Sequence, residues 1–263
     1  MRANRIRALL RSGEPTIGTR LYLVDPIVVE TVGHAGAFHY VEFLAEFAPF
    51  DLRALEEFCR AAELHSLGTM IKVDFANNRF VAQRSVGAGF EGVLFADARS
   101  AGDVRDFIDM LTPDTPDGGG LYGAAGRRNA LPLYSGSPEY VAAITDIVKV
   151  VMIEKKSAVA RLDEILAVSG IDLVQWGPAD YAMNVGKPGQ QGDPSIGAVE
   201  RHVIETCHAA GIPCRAEIAS VDDARRYADL GVRHFSLGYD LRTLYTALKD
   251  GGEKLREVIS DAT

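Results

Sequence analysis

The segment that decides the fold runs from residue 148 to residue 180 and reads VKVVMIEKKSAVARLDEILAVSGIDLVQWGPAD. It opens with a run of β-branched and apolar residues that ends at Glu154, and a second such run, Leu173–Trp176, ends just before Asp180. Between the two runs, Ala158–Ala167 has apolar residues three and four positions apart, which is typical of an amphipathic helix. A buried strand, a helix and a second buried strand are the repeating unit of a parallel sheet.

The same alternation extends along the whole chain. Strands are predicted at Ile17–Leu23, Tyr40–Leu44, Thr69–Val73, Gly92–Phe95, Val148–Ile153, Leu173–Trp176, Pro213–Ile218 and His234–Leu237. Helical periodicity lies between them, for example at Asp51–Leu64, Ser100–Leu111, Ala158–Ala167, Ile196–Ala210 and Val221–Leu230. Eight strands alternating with helices predict one α/β domain, residues 1–263, folded as a (β/α)₈ TIM barrel with parallel strands. An open doubly wound sheet is the alternative, although no G-x-G-x-x-G motif follows the first strand.

One segment interrupts this regular spacing. Residues 112–140, TPDTPDGGGLYGAAGRRNALPLYSGSPEY, are rich in Gly and Pro and too long for an ordinary connection. We interpret them as a loop or lid over the mouth of the barrel, with an insertion of no special role as the alternative. The basic pair Arg127 and Arg128 in this loop either meets a carboxylate of the substrate or is simply solvated.

The composition limits the class of protein. Of 263 residues, 47% are hydrophobic and 24% are charged, and the formal net charge is −8. This balance argues against a nucleic-acid partner, whose binding needs clustered Lys and Arg. No run of about 18 uncharged apolar residues is present, so no membrane span is expected. Three cysteines in no paired spacing argue against disulfides and against a cysteine zinc site. We therefore expect a soluble, cytoplasmic protein.

The candidate functional residues are the polar ones at the carboxyl ends of the strands, because parallel barrels carry their sites there. They are Glu42, Glu46, Lys72, Asp74, Glu154, Asp180, Glu217 and Asp240. Glu154 and Asp180 follow neighbouring strands, and two carboxylates so placed can share one cation. Oxygen ligands with room for water favour Mg²⁺ or Mn²⁺ over zinc. The alternative is that both are surface carboxylates or helix N-caps, a position that Asp favours.

The order of segments resembles the HpcH/HpaI aldolase family, metal-dependent lyases that cleave or form a carbon–carbon bond next to pyruvate. The similarity is strongest in residues 152–189, MIEKKSAVARLDEILAVSGIDLVQWGPADYAMNVGKPG, and it covers about residues 15–249. The resemblance implies a (β/α)₈ barrel in a homotrimer or homohexamer, with the C-terminal helix exchanged between subunits. It also implies a small-molecule oxo acid substrate that chelates a divalent cation, Mg²⁺ or Mn²⁺.

Residue by residue, the resemblance implies that Glu154 and Asp180 bind the metal. Lys72 matches a family arginine that touches substrate and stabilises the enolate, so it is expected to be both catalytic and substrate-binding. The substrate carboxylate is expected to lie beside Gly177, Pro178 and Ala179. Because proline has no N–H to donate, Ala179 is the better donor of the three.

Two departures from the family pattern concern the proton-transfer group. Phe47 stands where the family has its catalytic histidine, and Gly87 stands where it has the aspartate paired with that histidine. Phenylalanine cannot move a proton, so another group must be the base, and Glu46 beside the lost histidine is the residue that we expect to be catalytic. The other candidates are metal-bound water, His39, Asp74 and Glu217. Glu217 is alternatively a further group near the metal or a helix N-cap.

These observations predict a divalent-metal-dependent carbon–carbon lyase. It would cleave or form a hydroxy-2-oxo acid from a pyruvate-like oxo acid and an aldehyde. Because the family histidine is missing, two alternatives stay open. One is a metal-dependent 2-oxo acid decarboxylase on the same site, and the other is an oxo-acid-binding protein without turnover.

Overall fold

The computed structural model describes residues 2–124 and 134–261. Its eight strands are all parallel and close into a single barrel, with the first strand paired to the last. Closure confirms the (β/α)₈ barrel and excludes the open sheet. The strands are β1 Thr16–Leu21, β2 Tyr40–Leu44, β3 Gly68–Val73, β4 Gly92–Phe95, β5 Val148–Ile153, β6 Leu173–Trp176, β7 Cys214–Ile218 and β8 His234–Tyr239.

Helices surround the barrel and cover its apolar outer surface. They are α1 Arg5–Arg11, α2 Pro26–Ala35, α3 Leu52–Leu64, α4 Asn78–Ala88, α5 Ala101–Met110, α6 Pro138–Thr145, α7 Lys156–Val159, α8 Leu162–Leu166, α9 Pro178–Asn184, α10 Pro194–Ala209, α11 Asp222–Ala228 and α12 Asp240–Asp261. Several begin at a residue whose side chain accepts a backbone N–H of the first turn, as Asp51 does for α3. Within the described ranges, no helix is both long enough and apolar enough to cross a membrane.

Among the differences from the predicted elements, two have clear local reasons. The first strand ends at Leu21 because the next two N–H groups, of Tyr22 and Leu23, donate to the carboxylate of Asp240 at 2.9 to 3.1 Å. The single helix predicted over residues 158–167 is two short helices, α7 and α8. The backbone of Arg161 lies outside the helical region between them, at φ −124° and ψ 27°.

The segment rich in Gly and Pro does not reach over the mouth in its described part. Residues 112–124 connect the end of α5 to the start of α6 and β5, and connections from helix to strand lie at the amino ends of barrel strands. Thr112 and Pro113 accordingly line one cavity with Arg7 and Arg11 of the N-terminal helix. The prediction of a lid is therefore wrong for this part, and residues 138–140 already belong to α6. Arg127 and Arg128 lie outside the described residues.

The N-terminal helix closes the amino end of the barrel. Ile6 is 1% exposed and packs with the apolar residues that fill the lower barrel interior. The side chain of Asn4 donates to the carbonyl groups of Glu91 and Asp146, at 2.7 and 2.8 Å. Since the amino end is filled in this way, the open end is the one formed by the carboxyl ends of the strands.

Candidate active site

A buried polar layer lies above the apolar floor of the barrel. Arg215 of β7 donates to the carboxylate of Glu42 of β2, to the side-chain oxygen of Gln175 of β6, and to the hydroxyl of Tyr40 at 2.7 Å. Both partners of the Arg215–Glu42 ion pair are fully buried. Successive side chains of a strand point to opposite faces, which brings these alternate residues into the interior. Glu42, a strand-end candidate, is thus held inside the barrel by Arg215.

A cavity of about 180 Å³ opens above this layer, and we call it the mouth cavity. It is lined by Arg20, Tyr22, Leu44, Phe47, Lys72, Met152, Glu154, Gly177, Pro178, Ala179, Asp180, Glu217 and Tyr239. The structure therefore brings together both predicted metal ligands and every residue predicted to bind substrate. Glu46 reaches the same place through an ion pair with Lys72.

Glu154 is the buried acid of the cavity, with 1% of its surface exposed. Its Oε1 atom accepts the N–H of Asp97 at 2.8 Å, whereas its buried Oε2 atom has no hydrogen-bond partner among the described residues. Burial, together with the nearby carboxylates of Asp180 and Asp97, raises the pKa of Glu154 to about 7. A side chain at Gly177 would place its Cβ 2.2 Å from Oε2, so the glycine of the Gly-Pro-x-Asp turn makes room for this carboxylate.

Asp180 is held by a lysine that sequence analysis missed. The Nζ atom of Lys155 lies 3.1 Å from Oδ1 of Asp180 and 2.5 Å from Oδ1 of Asp97. Asp97 adopts a left-handed backbone at φ +62°, which is unusual for a residue other than glycine and typical of functional sites. Its N–H binds Glu154 while its carboxylate binds Lys155, so Asp97 fixes both sides of the acidic pair.

Lys72 and Glu46 form a second charged pair in the site. Their Nζ and Oε2 atoms are 2.6 Å apart, and both side chains are largely buried. Burial raises the pKa of Glu46, although Lys72 opposes the shift. Burial alone would lower the pKa of Lys72, but the carboxylates of Glu154 and Glu46 outweigh it and raise that pKa. Lys72 is therefore a permanent cation beside the acidic pair.

The residues present fit a divalent cation. Four carboxylates, those of Glu46, Asp97, Glu154 and Asp180, face two lysine ammonium groups, Lys72 and Lys155. When all four acids are ionised, the cluster has two uncompensated negative charges, and the buried Oε2 atom of Glu154 has no hydrogen-bond donor beside it among the described residues. An all-oxygen donor set of this charge suits a hard cation such as Mg²⁺ or Mn²⁺. Within the described ranges no three His, Cys, Asp or Glu side chains form a closed metal site.

The two departures from the family pattern lie far apart in the fold. Phe47 borders the mouth cavity, is 54% exposed, and has its ring centroid 4.8 Å from Nζ of Lys72. Gly87 is buried in the last turn of α4, which leads into the amino end of β4. Within one chain, these two positions are therefore not placed to form a pair.

The remaining base candidates have other contacts. Nδ1 of His39 accepts the N–H of Ile17 at the amino end of the barrel, away from the mouth cavity. Asp74 accepts the N–H of Asn77 at 2.6 Å and so stabilises a turn. Glu217 is not an N-cap, since it binds Arg20 and Gln175.

Sequence analysis missed three further side chains of the cavity that carry polar groups, Arg20, Tyr22 and Tyr239. Arg20 of β1 pairs with Glu217, and the rings of Tyr22 and Tyr239 contact each other at a tilt, with centroids 5.4 Å apart. A signal for Arg20 was present: it is a single charge in an otherwise uncharged strand, two residues from Gly18 and from Tyr22, so it shares their inward face.

Comparison with known proteins shows the family to which the chain belongs. The HpcH/HpaI aldolase/citrate lyase family matches residues 47–247. A hydroxypyruvate/pyruvate aldolase of Pseudomonas aeruginosa is 30% identical over 250 residues, covering 94% of this chain and 91% of that protein. A 5-keto-4-deoxy-D-glucarate aldolase of Salmonella newport (strain SL254) is 27% identical over 239 residues, covering 90% and 91%. The chain therefore belongs to the HpcH/HpaI aldolase/citrate lyase family, and it is an enzyme of the aldolase class.

A solved structure supports the same fold. The HpcH/HpaI aldolase/citrate lyase family protein from Burkholderia cenocepacia J2315 superposes with a TM-score of 0.87 at 24% identity. The match covers 97% of this chain and all of the other. The barrel and its helices are thus shared over nearly the whole length.

Proposed function

We propose that this chain is a divalent-metal-dependent aldolase that joins a pyruvate-like 2-oxo acid to an aldehyde and cleaves the product. The observation that carries the proposal is the buried, unpartnered Oε2 atom of Glu154, which shares one cavity with Asp180 and Lys72. Glu154 and Asp180 would hold Mg²⁺ or Mn²⁺. When bound, such a cation supplies Lewis-acid polarisation of the substrate carbonyl, worth several kcal/mol.

The other residues of the cavity would bind and orient the oxo acid. Lys72 lies beside the acidic pair and balances negative charge that develops on the substrate oxygen. Of the three residues in the Gly-Pro-Ala turn, Gly177 donates its N–H to the carbonyl of Ile153, and Pro178 has none to donate. Ala179 is therefore the backbone donor that we assign to the substrate carboxylate.

Glu46 is the group that we assign to proton transfer. It lies next to Phe47 in sequence, its carboxylate contacts Lys72, and burial raises its pKa towards the range useful for a general base. Phe47 shields one side of this pair from water. The carboxylate of Glu46 would therefore carry out the proton transfer that the family assigns to a histidine at position 47, which phenylalanine cannot perform.

The substrate class follows from the named relatives. The Pseudomonas aeruginosa relative is a hydroxypyruvate/pyruvate aldolase, so pyruvate and hydroxypyruvate are the oxo acids that we propose for this chain. Coupled detection of pyruvate released from a panel of 4-hydroxy-2-oxo acids tests the activity. We expect turnover with Mg²⁺ or Mn²⁺ and none in excess EDTA.

Matched variants separate the assignment of the site from the activity itself. Glu154→Gln and Asp180→Asn should each abolish metal-dependent turnover, whereas Glu164→Gln on an exposed face of α8 should not. Full turnover in EDTA would overturn the metal-dependent mechanism. Release of CO₂ from oxaloacetate, with no aldehyde product from any panel member, would instead favour the decarboxylase.

The C-terminal helix supports a homo-oligomer, as a trimer or hexamer. None of the 22 residues of α12 is buried in the single chain. Its exposed apolar side chains are Leu241, Leu244, Tyr245, Leu248, Leu255, Val258 and Ile259. We propose that they pack on a second copy of the chain. Light scattering should show an oligomer that dissociates when Leu248 and Leu255 are both replaced by Asp. A cytoplasmic location stays a prediction.

A further inference from the structure

An ion pair between β1 and β7 lines the mouth cavity. Nη1 of Arg20 lies 2.6 Å from Oε2 of Glu217, and Nε of Arg20 donates to the carbonyl of Gly238 at 3.1 Å. Arg20 is on β1 and Glu217 on β7, whereas Glu154 and Asp180 follow β5 and β6. In a closed ring of eight strands, β1 stands opposite β5. Arg20 therefore stands across the cavity from Glu154, whereas Glu217 lies on β7, beside the strand that leads to Asp180.

The pair offers a donor and an acceptor side by side without net charge. Oε1 of Glu217 accepts the side-chain amide of Gln175 and Oε2 accepts Arg20, so each oxygen keeps a lone pair for another donor. Among the described residues no hydrogen bond is recorded for Nη2 of Arg20. The two side chains are 16% and 23% exposed, which leaves them accessible from the cavity.

Aromatic rings surround this pair. The guanidinium carbon of Arg20 lies 5.5 Å from the ring centroid of Tyr239. The ring of Tyr22 contacts that of Tyr239 at a tilt, with centroids 5.4 Å apart, and stacks on Phe47 with centroids 6.1 Å apart. The rings present flat apolar faces next to a donor and an acceptor. A short carbon chain that carries hydroxyl groups matches this combination, because each hydroxyl both donates and accepts.

We propose that Arg20 and Glu217 form the subsite for the aldehyde and select a neutral, hydroxylated aldehyde over a carboxylated one. This inference rests on the proposed aldolase function and names its second substrate class. Glu217 compensates the charge of Arg20 and repels an incoming carboxylate, whereas an unpaired arginine would attract one.

The test compares three aldehydes with pyruvate as the common partner and Mg²⁺ or Mn²⁺ present. The aldehydes are D-glyceraldehyde, succinic semialdehyde and butanal, and the measurement is kcat/KM for product formation. The wild-type protein should prefer glyceraldehyde to succinic semialdehyde by about tenfold or more. Glu217→Gln keeps the shape but leaves the arginine charge uncompensated. It should shift that ratio towards succinic semialdehyde by at least about tenfold.

Two controls show whether a change in the aldehyde ratio comes from the subsite itself. Glu56→Gln removes a carboxylate from a surface ion pair with Arg60 on α3 and should leave the ratio unchanged. Exchange of the pyruvate methyl protons for deuterium, followed by NMR without any aldehyde, reports on the oxo acid half of the site alone. Metal-dependent exchange by Glu217→Gln, at whatever rate, shows that this variant is folded and binds the oxo acid.

Different results would contradict the proposed aldolase function and the proposed aldehyde subsite. Absence of metal-dependent exchange in the wild-type protein would overturn the proposed function, and this subsite with it. Normal exchange with an unchanged aldehyde ratio in Glu217→Gln would overturn the subsite alone. A wild-type preference for succinic semialdehyde would do the same.

Discussion

Replacement of Glu154 by Gln should remove a pH-dependent loss of stability. The pKa of this acid rises from an ordinary 4.5 to about 7 in the folded protein, chiefly through burial. A raised pKa means that the folded state favours the protonated acid. The destabilisation is therefore absent below pH 4.5, grows as the pH rises, and is complete above pH 7. At 1.36 kcal/mol for each pKa unit, the shift corresponds to ~3 kcal/mol.

The assay is urea unfolding at pH 4.5, 6, 7 and 8, in EDTA and in excess Mn²⁺. In EDTA, the free energy of unfolding of Glu154→Gln minus that of the wild-type protein should increase by ~3 kcal/mol between pH 4.5 and pH 8. With Mn²⁺ the wild-type protein should recover, because the cation binds the ionised acid and stabilises the folded state by mass action.

Glu164→Gln on the exposed face of α8 is the matched control, since it removes a carboxylate outside the cavity. Its difference from the wild-type protein should not change with pH. If the free energy of unfolding changed with pH in the same way in Glu154→Gln and Glu164→Gln, the raised pKa of Glu154 would be refuted. Position 154 would then hold a solvated carboxylate. If Mn²⁺ left the free energy of unfolding of the wild-type protein unchanged at every pH, the role of Glu154 as a metal ligand would be refuted.

Three further outcomes follow from the site. Asp180→Asn should weaken Mn²⁺ binding at least about tenfold in calorimetry, because second anionic ligands matter for hard cations; unchanged affinity would remove Asp180 from the site. Glu46→Gln should lower kcat by about 10² or more while Mn²⁺ binding stays intact, as loss of a general base does; an unchanged kcat would assign the proton transfer elsewhere. Glu42→Leu should lower the free energy of unfolding by about 3–5 kcal/mol, because it leaves the buried charge of Arg215 unpaired. A loss below about 1 kcal/mol in urea unfolding would show that water reaches Arg215.

Residues at the carboxyl ends of strands were predictable because the fold alone places them. Once eight parallel strands are assigned, Glu154, Lys72 and Asp180 must lie at one end of the barrel, whatever the details of packing. The structure brings them into one cavity, as expected.

Contacts between side chains of different strands were not predictable in this way. Lys155 binds Asp97 across neighbouring strand ends, and Arg20 binds Glu217 across β8, so each pairing depends on closure and on strand tilt. The sequence shows the charges but not their partners.

The error on residues 112–140 has a different origin. The length and composition of this segment predict a functional loop. Which end of the barrel a loop occupies, however, depends on whether it follows a strand or a helix. This segment follows a helix and precedes β5, so its described part packs at the amino end of the barrel beside Arg7. A segment of the same composition after a strand would have bordered the cavity.

The closed floor of the barrel has a consequence for how the chain folds. The contacts of Asn4 reach residues 87 and 142 positions further along. On the ribosome, this segment emerges well before strands four and five, and it must wait for them before it can dock. Such distant pairing slows folding in general. Until α1 packs against the amino end of the barrel, the apolar residues inside that end stay exposed to solvent. The N-terminal helix therefore covers them only late in the folding of the nascent chain.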